Sequence, residues 1–183
     1  MGEKMITRTK LAVLAALATL LLSACGTNSK IIEQSGDSAA LAAAKVYKVA
    51  PVSFKWAPPK DWEASGEDWK KRSEELSDTF RQEFKEEAHK QADILKMDDK
   101  PDKGVLVTCT VINMDRGGWG GTGNATAEVE MKDIASGKVI YKAKIEGNSR
   151  NAGYEGNTHW GRLKFSMINI ARVAAEAAQK GFE

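Results

Sequence analysis

The feature that most constrains the fold is a pair of alternating stretches joined by a short turn. Ala125, Ala127, Val129 and Met131 alternate with Thr126, Glu128, Glu130 and Lys132. After Ala135-Ser136-Gly137, Val139, Tyr141, Ala143 and Ile145 alternate with Ile140, Lys142, Lys144 and Glu146. A period of two puts each set on one face of a strand, so the segment predicts a hairpin with one dry face. A three-residue loop with Gly137 in the left-handed region pairs Ile134 with Lys138. That register sets Met131 opposite Tyr141 and Val129 opposite Ala143 on the core face, with Glu130 meeting Lys142 and Glu128 meeting Lys144 outside. A slip of one residue would turn every apolar side chain to water, so pattern, turn and charge select one pairing.

The elements around the hairpin follow from similar arguments. Ala50, Val52, Phe54 and Trp56 alternate with Pro51, Ser53 and Lys55, a strand whose proline places it at an edge or a bulge. Ser65-Gly66-Glu67-Asp68 resembles a capping box and opens a long helix with the apolar stripe Trp69, Leu76, Phe80, Phe84, Ala88, Ala92 and Leu95. The turn composition of 98–104 ends it near Met97. Residues 105–112 are apolar or β-branched on both faces and predict a central strand. A last helix over roughly 161–180 carries Leu163, Met167, Ile170, Ala171, Ala174 and Ala177, with Gly181 as its C-cap signal. The expectation is an α+β two-layer sandwich in the order β-α-β-β-β-α: about four strands in a mixed sheet, with two helices on one face.

At the other end, Lys4, Arg8 and Lys10 precede the apolar run Leu11 to Leu22, and Leu22-Ser23-Ala24-Cys25-Gly26 follows. A basic start, a short apolar stretch and small residues before a cleavage point are the parts of an export signal. The run is too short for a permanent span, since a bilayer core of roughly 30 Å takes about 20 helical residues. Leu-Ser-Ala-Cys resembles the lipobox of bacterial lipoproteins, and the resemblance implies a thioether-linked diacylglycerol on Cys25 and an acylated amino group. The competing readings are a secretory signal with a chance cysteine and a buried N-terminal helix. In a bacterium with two membranes, Gly26 rather than Asp after the cysteine fits the periplasmic face of the outer membrane. The expected organisation is a signal peptide over 1–24, a lipidated N-terminus and tether over 25–45, and a single α+β domain over 46–183. Nineteen tether residues, 26–44, would reach about 60–70 Å when extended; the alanine-rich residues 39–44 could instead form a short helix.

Removal of 1–24 leaves 159 residues with 24 basic and 24 acidic side chains, so the weakly positive charge of the whole chain belongs to the signal. A balanced domain without a basic stripe argues against a nucleic-acid partner. Cys109 stands alone once Cys25 carries lipid, and it shares the period-2 face of Val105, Val107 and Val111, which reads as a small buried hydrophobe rather than a reactive thiol. Gly118-Trp119-Gly120-Gly121-Thr122-Gly123 fits the spacing G-x-G-x-x-G but leads into a strand instead of a helix, so it offers no helix N-terminus to a dinucleotide. His89 and His159 have no spacing that suggests zinc, and no nucleophile elbow occurs. No catalytic residue, metal or cofactor is expected.

Strand directions offer a different lead. If the first strand parallels the second, the loops 56–62, 115–123 and 148–161 share one end of the sheet. Trp56, Trp62, Trp119, Tyr154 and Trp160 would gather there. Either the rings cap the core and close the loops, or they form an exposed surface for a partner or a glycan.

Taken together, Val46 to Gln179 resembles a broad group of uncharacterised bacterial envelope lipoproteins through its strand, long helix, terminal helix and the hairpin Ala127-Glu128-Val129-Glu130-Met131-Lys132-Asp133-Ile134-Ala135-Ser136-Gly137-Lys138-Val139-Ile140. The group is similar in fold to lipoproteins that activate penicillin-binding proteins and to the curli-secretion lipoprotein. That resemblance implies a non-enzymatic role in binding or assembling another envelope component, with an envelope protein as partner beside the membrane itself. The alternative is a lipoprotein that binds a periplasmic glycan or small ligand.

Overall fold

The computed structural model describes residues 29–59, 66–90, 96–118 and 121–181. Among them, seven strands form one mixed sheet accompanied by three α-helices. In chain order these are β1 (Ser29–Gly36), α1 (Ser38–Ala43), β2 (Val46–Val49), β3 (Ser53–Phe54), α2 (Gly66–Lys90), β4 (Lys96–Met97), β5 (Val105–Asp115), β6 (Asn124–Asp133), β7 (Val139–Asn148) and α3 (His159–Lys180). The sheet runs β1-β7-β6-β5-β2-β4, with β3 also on β5.

This corrects the expectation of about four strands and two helices. The stretch read as a tether is structural: β1 pairs antiparallel with β7 from Ser29↔Gly147 to Gly36↔Tyr141. Helix α1 is capped by the Asp37 carboxylate, which accepts from Ala40 N at 2.9 Å, and buries Leu41 completely. Tyr47 secures it, because its buried hydroxyl donates between the carbonyls of Leu41 (3.3 Å) and Ala178 (3.1 Å). Leu41→Ala is therefore expected to lower unfolding free energy by about 2–3 kcal/mol, near the low end for a buried leucine because a six-residue helix can settle into the space. Denaturant melts check this; an unchanged midpoint would restore the tether.

Proline explains a second correction. Of the single strand expected over 50–56 only Ser53–Phe54 is strand, as β3, and β2 lies before it over Val46–Val49; both run parallel to β5, at Tyr47↔Val105 and Phe54↔Val111. At the break Val52 turns its N–H to Ser77 Oγ on α2, 3.0 Å away, instead of to the sheet. Met97 belongs to β4, parallel to β2, and not to the end of a helix; Ala92 and Leu95 lie outside the described residues. Strand β5 runs past 112 to Asp115 by way of a bulge between Val111 and Asn113.

The hairpin keeps its predicted pairing along most of its length: Met131↔Tyr141, Val129↔Ala143, Glu130↔Lys142 and Glu128↔Lys144. The turn differs. Asp133 N donates to Lys138 O, Ile134 N leaves the hairpin for Gly104 O, and the register shifts at Lys132↔Val139. The loop is thus four residues long, and Ile140 is the bulged residue, buried beside Tyr141. Gly137 has φ +69°, as the turn demands.

One sheet face carries the core, with Val107, Val111, Ala127, Val129, Met131 and Ile145 fully buried under Phe80 and Phe84 of α2 and Leu163, Met167 and Ile170 of α3. The other face is half-exposed and charged. On it Glu130 receives Lys132 at 2.8 Å and Lys142 at 3.2 Å, and those two hydrogen bonds hold its carboxyl below the usual range. Helices α2 and α3 run parallel: Trp69 meets Trp160, Glu83 meets Arg172 (2.6 Å), and Gln179 donates to Glu87 O (2.8 Å).

Candidate binding surface

The parallel arrangement brings the start of both long helices to one end of the sheet, where β5 and β7 finish and β6 begins. Asp115, Asn124 and Asn148 mark the last register row at this pole. Of the aromatic residues expected there, Trp56, Trp160 and Tyr154 are described; Trp62 and Trp119 lie outside the described residues, as does Cys25.

Trp69 joins the group as its hub, although its helical spacing marked it only as a core residue. Its ring is 5.3 Å from Phe54 and 5.6 Å from Trp56, both edge-on, and stacks on Trp160 at 6.3 Å and 29°. Arg72, one turn further along α2, places its guanidinium 5.5 Å from the centre of the Trp160 ring and donates to Glu75 at 2.7 Å. Phe54, Trp56, Trp69 and Trp160 are all half-buried against the core. Tyr154 differs: on the short 3-10 helix Gly153–Asn157 it is 90% exposed.

A polar stripe on α3 holds the loops beneath Tyr154. Arg162, Ser166 and Asn169 are buried at helical spacing beside the apolar stripe. Arg162 donates from Nε to Arg116 O (2.7 Å) and from Nη1 to Gly156 O (3.0 Å), joining the loop after β5 to the 3-10 helix. Its Nη2 lies 2.6 Å from His159 Nδ1; a guanidinium only donates, so this nitrogen is the acceptor. Ser166 Oγ reaches Gly123 O at 3.1 Å and Asn169 Nδ2 donates to Asn148 O at 2.7 Å. Ser149 adds a reciprocal pair with Gly123, its N donating to Gly123 O at 2.9 Å and its Oγ accepting from Gly123 N at 2.8 Å. The glycine-rich connection is thus stitched at its base by side chains that composition alone would have assigned to solvent.

Chemistry-bearing groups elsewhere are few. Cys109 is 1% exposed on β5 and burial pushes its thiol pKa up. It is expected to resist a maleimide at pH 8 in the folded protein and to react fully once unfolded, as read by intact mass; labelling at the rate of a free thiol would put it at the surface. Among the described residues no group of three or more His, Cys, Asp or Glu side chains is placed to hold a metal ion, and no helix is long and apolar enough to cross a membrane.

No family model and no curated protein matches this chain. Solved structures similar to it include the PelC dodecamer from Paraburkholderia phytofirmans, at 12% identity over 85% of this chain and 99% of that one, with a TM-score of 0.47. Another is the hypothetical protein CT253 from Chlamydia trachomatis, at 14% identity over 74% and 97% of the two chains and a TM-score of 0.42. An uncharacterized protein matches at 14% identity, 72% and 90% coverage and a TM-score of 0.45. Likeness at this level transfers no activity or partner to this chain.

Proposed function

We propose that this is a lipid-anchored, non-enzymatic protein of the bacterial envelope that binds or helps assemble another envelope component through its aromatic pole. The anchor rests on the sequence, where Leu22-Ser23-Ala24-Cys25 follows a basic start and a short apolar run. The binding surface rests on one observation above all: Tyr154 is 90% exposed on a short helix whose Gly156 carbonyl is fastened by buried Arg162. An exposed ring on a fastened support loses little freedom when it is covered.

Trp56 and Trp160 support the same pole in a structural capacity, being half-buried and engaged with Trp69. A glycan site would use flat, open ring faces. Trp160 already stacks on Trp69 and carries the Arg72 guanidinium, which favours a broader contact surface over a sugar platform.

Two measurements test the reading. Mature wild-type protein is expected to carry acyl mass on Cys25, and Cys25→Ser to leave the membrane fraction; a mature chain without that mass rules the anchor out. Tyr154→Ala is expected to keep the thermal midpoint while losing retention of envelope material. Unchanged retention would remove Tyr154 from the surface, and retention of muropeptides alone would favour the glycan alternative.

A further inference from the structure

The position of Ser29 limits how the domain can stand on a membrane. Ser29 pairs with Gly147, Gly147 with Ala125, and Ala125 with Met114, so the described chain begins one register row from the aromatic pole. Cys25 precedes Ser29 by four residue steps, which span at most about 14 Å however they are arranged. The hairpin turn at Ala135 lies at the opposite end of β6, about 30 Å away at strand rise. A lipid on Cys25 therefore cannot let the hairpin turn touch the bilayer with the aromatic pole pointing away, since Ser29 would then stand at about twice the available reach.

We infer that the component met by the aromatic pole is the headgroup layer of the membrane in which Cys25 is anchored, with Tyr154 at the contact. This rests on the proposed lipidation and deepens the binding role assigned to the same pole. Tyrosine and tryptophan settle at the boundary of a bilayer, where the ring meets the acyl region and the polar group stays wet. Among the described residues Tyr154 is the large, nearly fully exposed ring at that end, and exposed Arg150 lies on the same connection between β7 and α3. The several acyl chains expected on Cys25 anchor stably by themselves, so contact by the protein surface sets orientation rather than affinity. The short link fixes that orientation: the aromatic pole is down and the hairpin up.

The test uses the mature acylated protein in vesicles of phosphatidylethanolamine and phosphatidylglycerol carrying a headgroup-attached quencher. Cys25 is blocked by its lipid and Cys109 is buried, so Asn151→Cys, exposed on the connection that carries Tyr154, and Ala135→Cys each present one accessible thiol for a fluorophore with the Tyr154 ring in place. Loss of most emission at 151 with none at 135 is expected. Conversely, equal or reversed quenching in protein that floats with the vesicles overturns the orientation while leaving the anchor intact. Protein that lacks acyl mass and does not float overturns the anchor, and the inference with it. A Tyr154-dependent protein partner in envelope extract, with no quenching at 151, assigns the pole to a protein instead. Adding Tyr154→Ala to the Asn151→Cys protein is expected to weaken the quenching at 151; unchanged quenching there takes Tyr154 out of the contact.

Discussion

Gly147→Val is expected to lower unfolding free energy by at least about 3 kcal/mol, the upper part of the range for overpacking a well-filled interior. Gly147 lies in β7 directly beneath α3, and a Cβ there would fall 2.2 Å from Ser166 O and 2.8 Å from Ile170 Cγ1. The obstruction is helix backbone, which cannot rotate away as a side-chain end could. Relief requires α3 to lift off the sheet, uncovering Ile170, Ala174 and the carbonyl of Gly123 that Ser166 satisfies. Gly137 provides the contrast, because nothing lies within 4 Å of a Cβ there and only its left-handed backbone opposes a side chain. A substitution at Gly137 should therefore cost about 1–2 kcal/mol. Chemical melts of the two variants, at unchanged slope, check the order; a smaller loss at Gly147 than at Gly137 would mean that α3 does not seat on β7.

Arg162→Leu is expected to cost about 2–4 kcal/mol, because two backbone carbonyls lose charged donors at once. Faster amide exchange in 116–118, 121–123 and 153–157 should accompany the loss, with β6 and β7 little affected. Arg162→Lys should recover little of it. An ammonium is a point donor, whereas this site uses separate nitrogens of a planar fork toward Arg116, Gly156 and His159. Full recovery by lysine would show that charge alone holds the loops.

The hairpin was legible because three independent signals agreed on it: alternation, a glycine in the turn and cross-strand charge. The bulge at Ile140 was not, since it depends on Ile134 N leaving the turn for Gly104 O, a contact with the segment before another strand. β1 escaped notice for a related reason. Ser-Lys-Ile-Ile-Glu-Gln-Ser-Gly has no sustained apolar alternation and is held by its backbone pairing with β7, which side-chain patterns do not record. The two-residue strands β3 and β4 are shorter than any period can reveal.

At the candidate surface, strand directions were enough to place Trp56, Tyr154 and Trp160 at one pole, but not to separate half-buried rings from the exposed one. Trp69 looked like the first residue of a core stripe and is also the ring that joins the others. Arg162 could have been found from spacing: Arg162, Ser166 and Asn169 recur by four and three and lead into buried Val173. Such a polar row beside an apolar one signals backbone carbonyls in need of donors, because buried polar groups are rarely left without partners.

The outermost position of β1 has a consequence for any shortened form of this protein. A chain begun at residue 46 would lose a strand that carries Lys30 and Glu33 and bends at a bulge between Ile31 and Glu33. Charge and irregularity of that kind discourage strands of separate molecules from joining. Beneath it lies the ten-residue β7, whose outer row of N–H and C=O groups would then face solvent along the pairing that β1 now occupies. Such a truncated chain would offer a long docking rail to its own copies, and its failure would take the form of aggregation as well as a lower melting point.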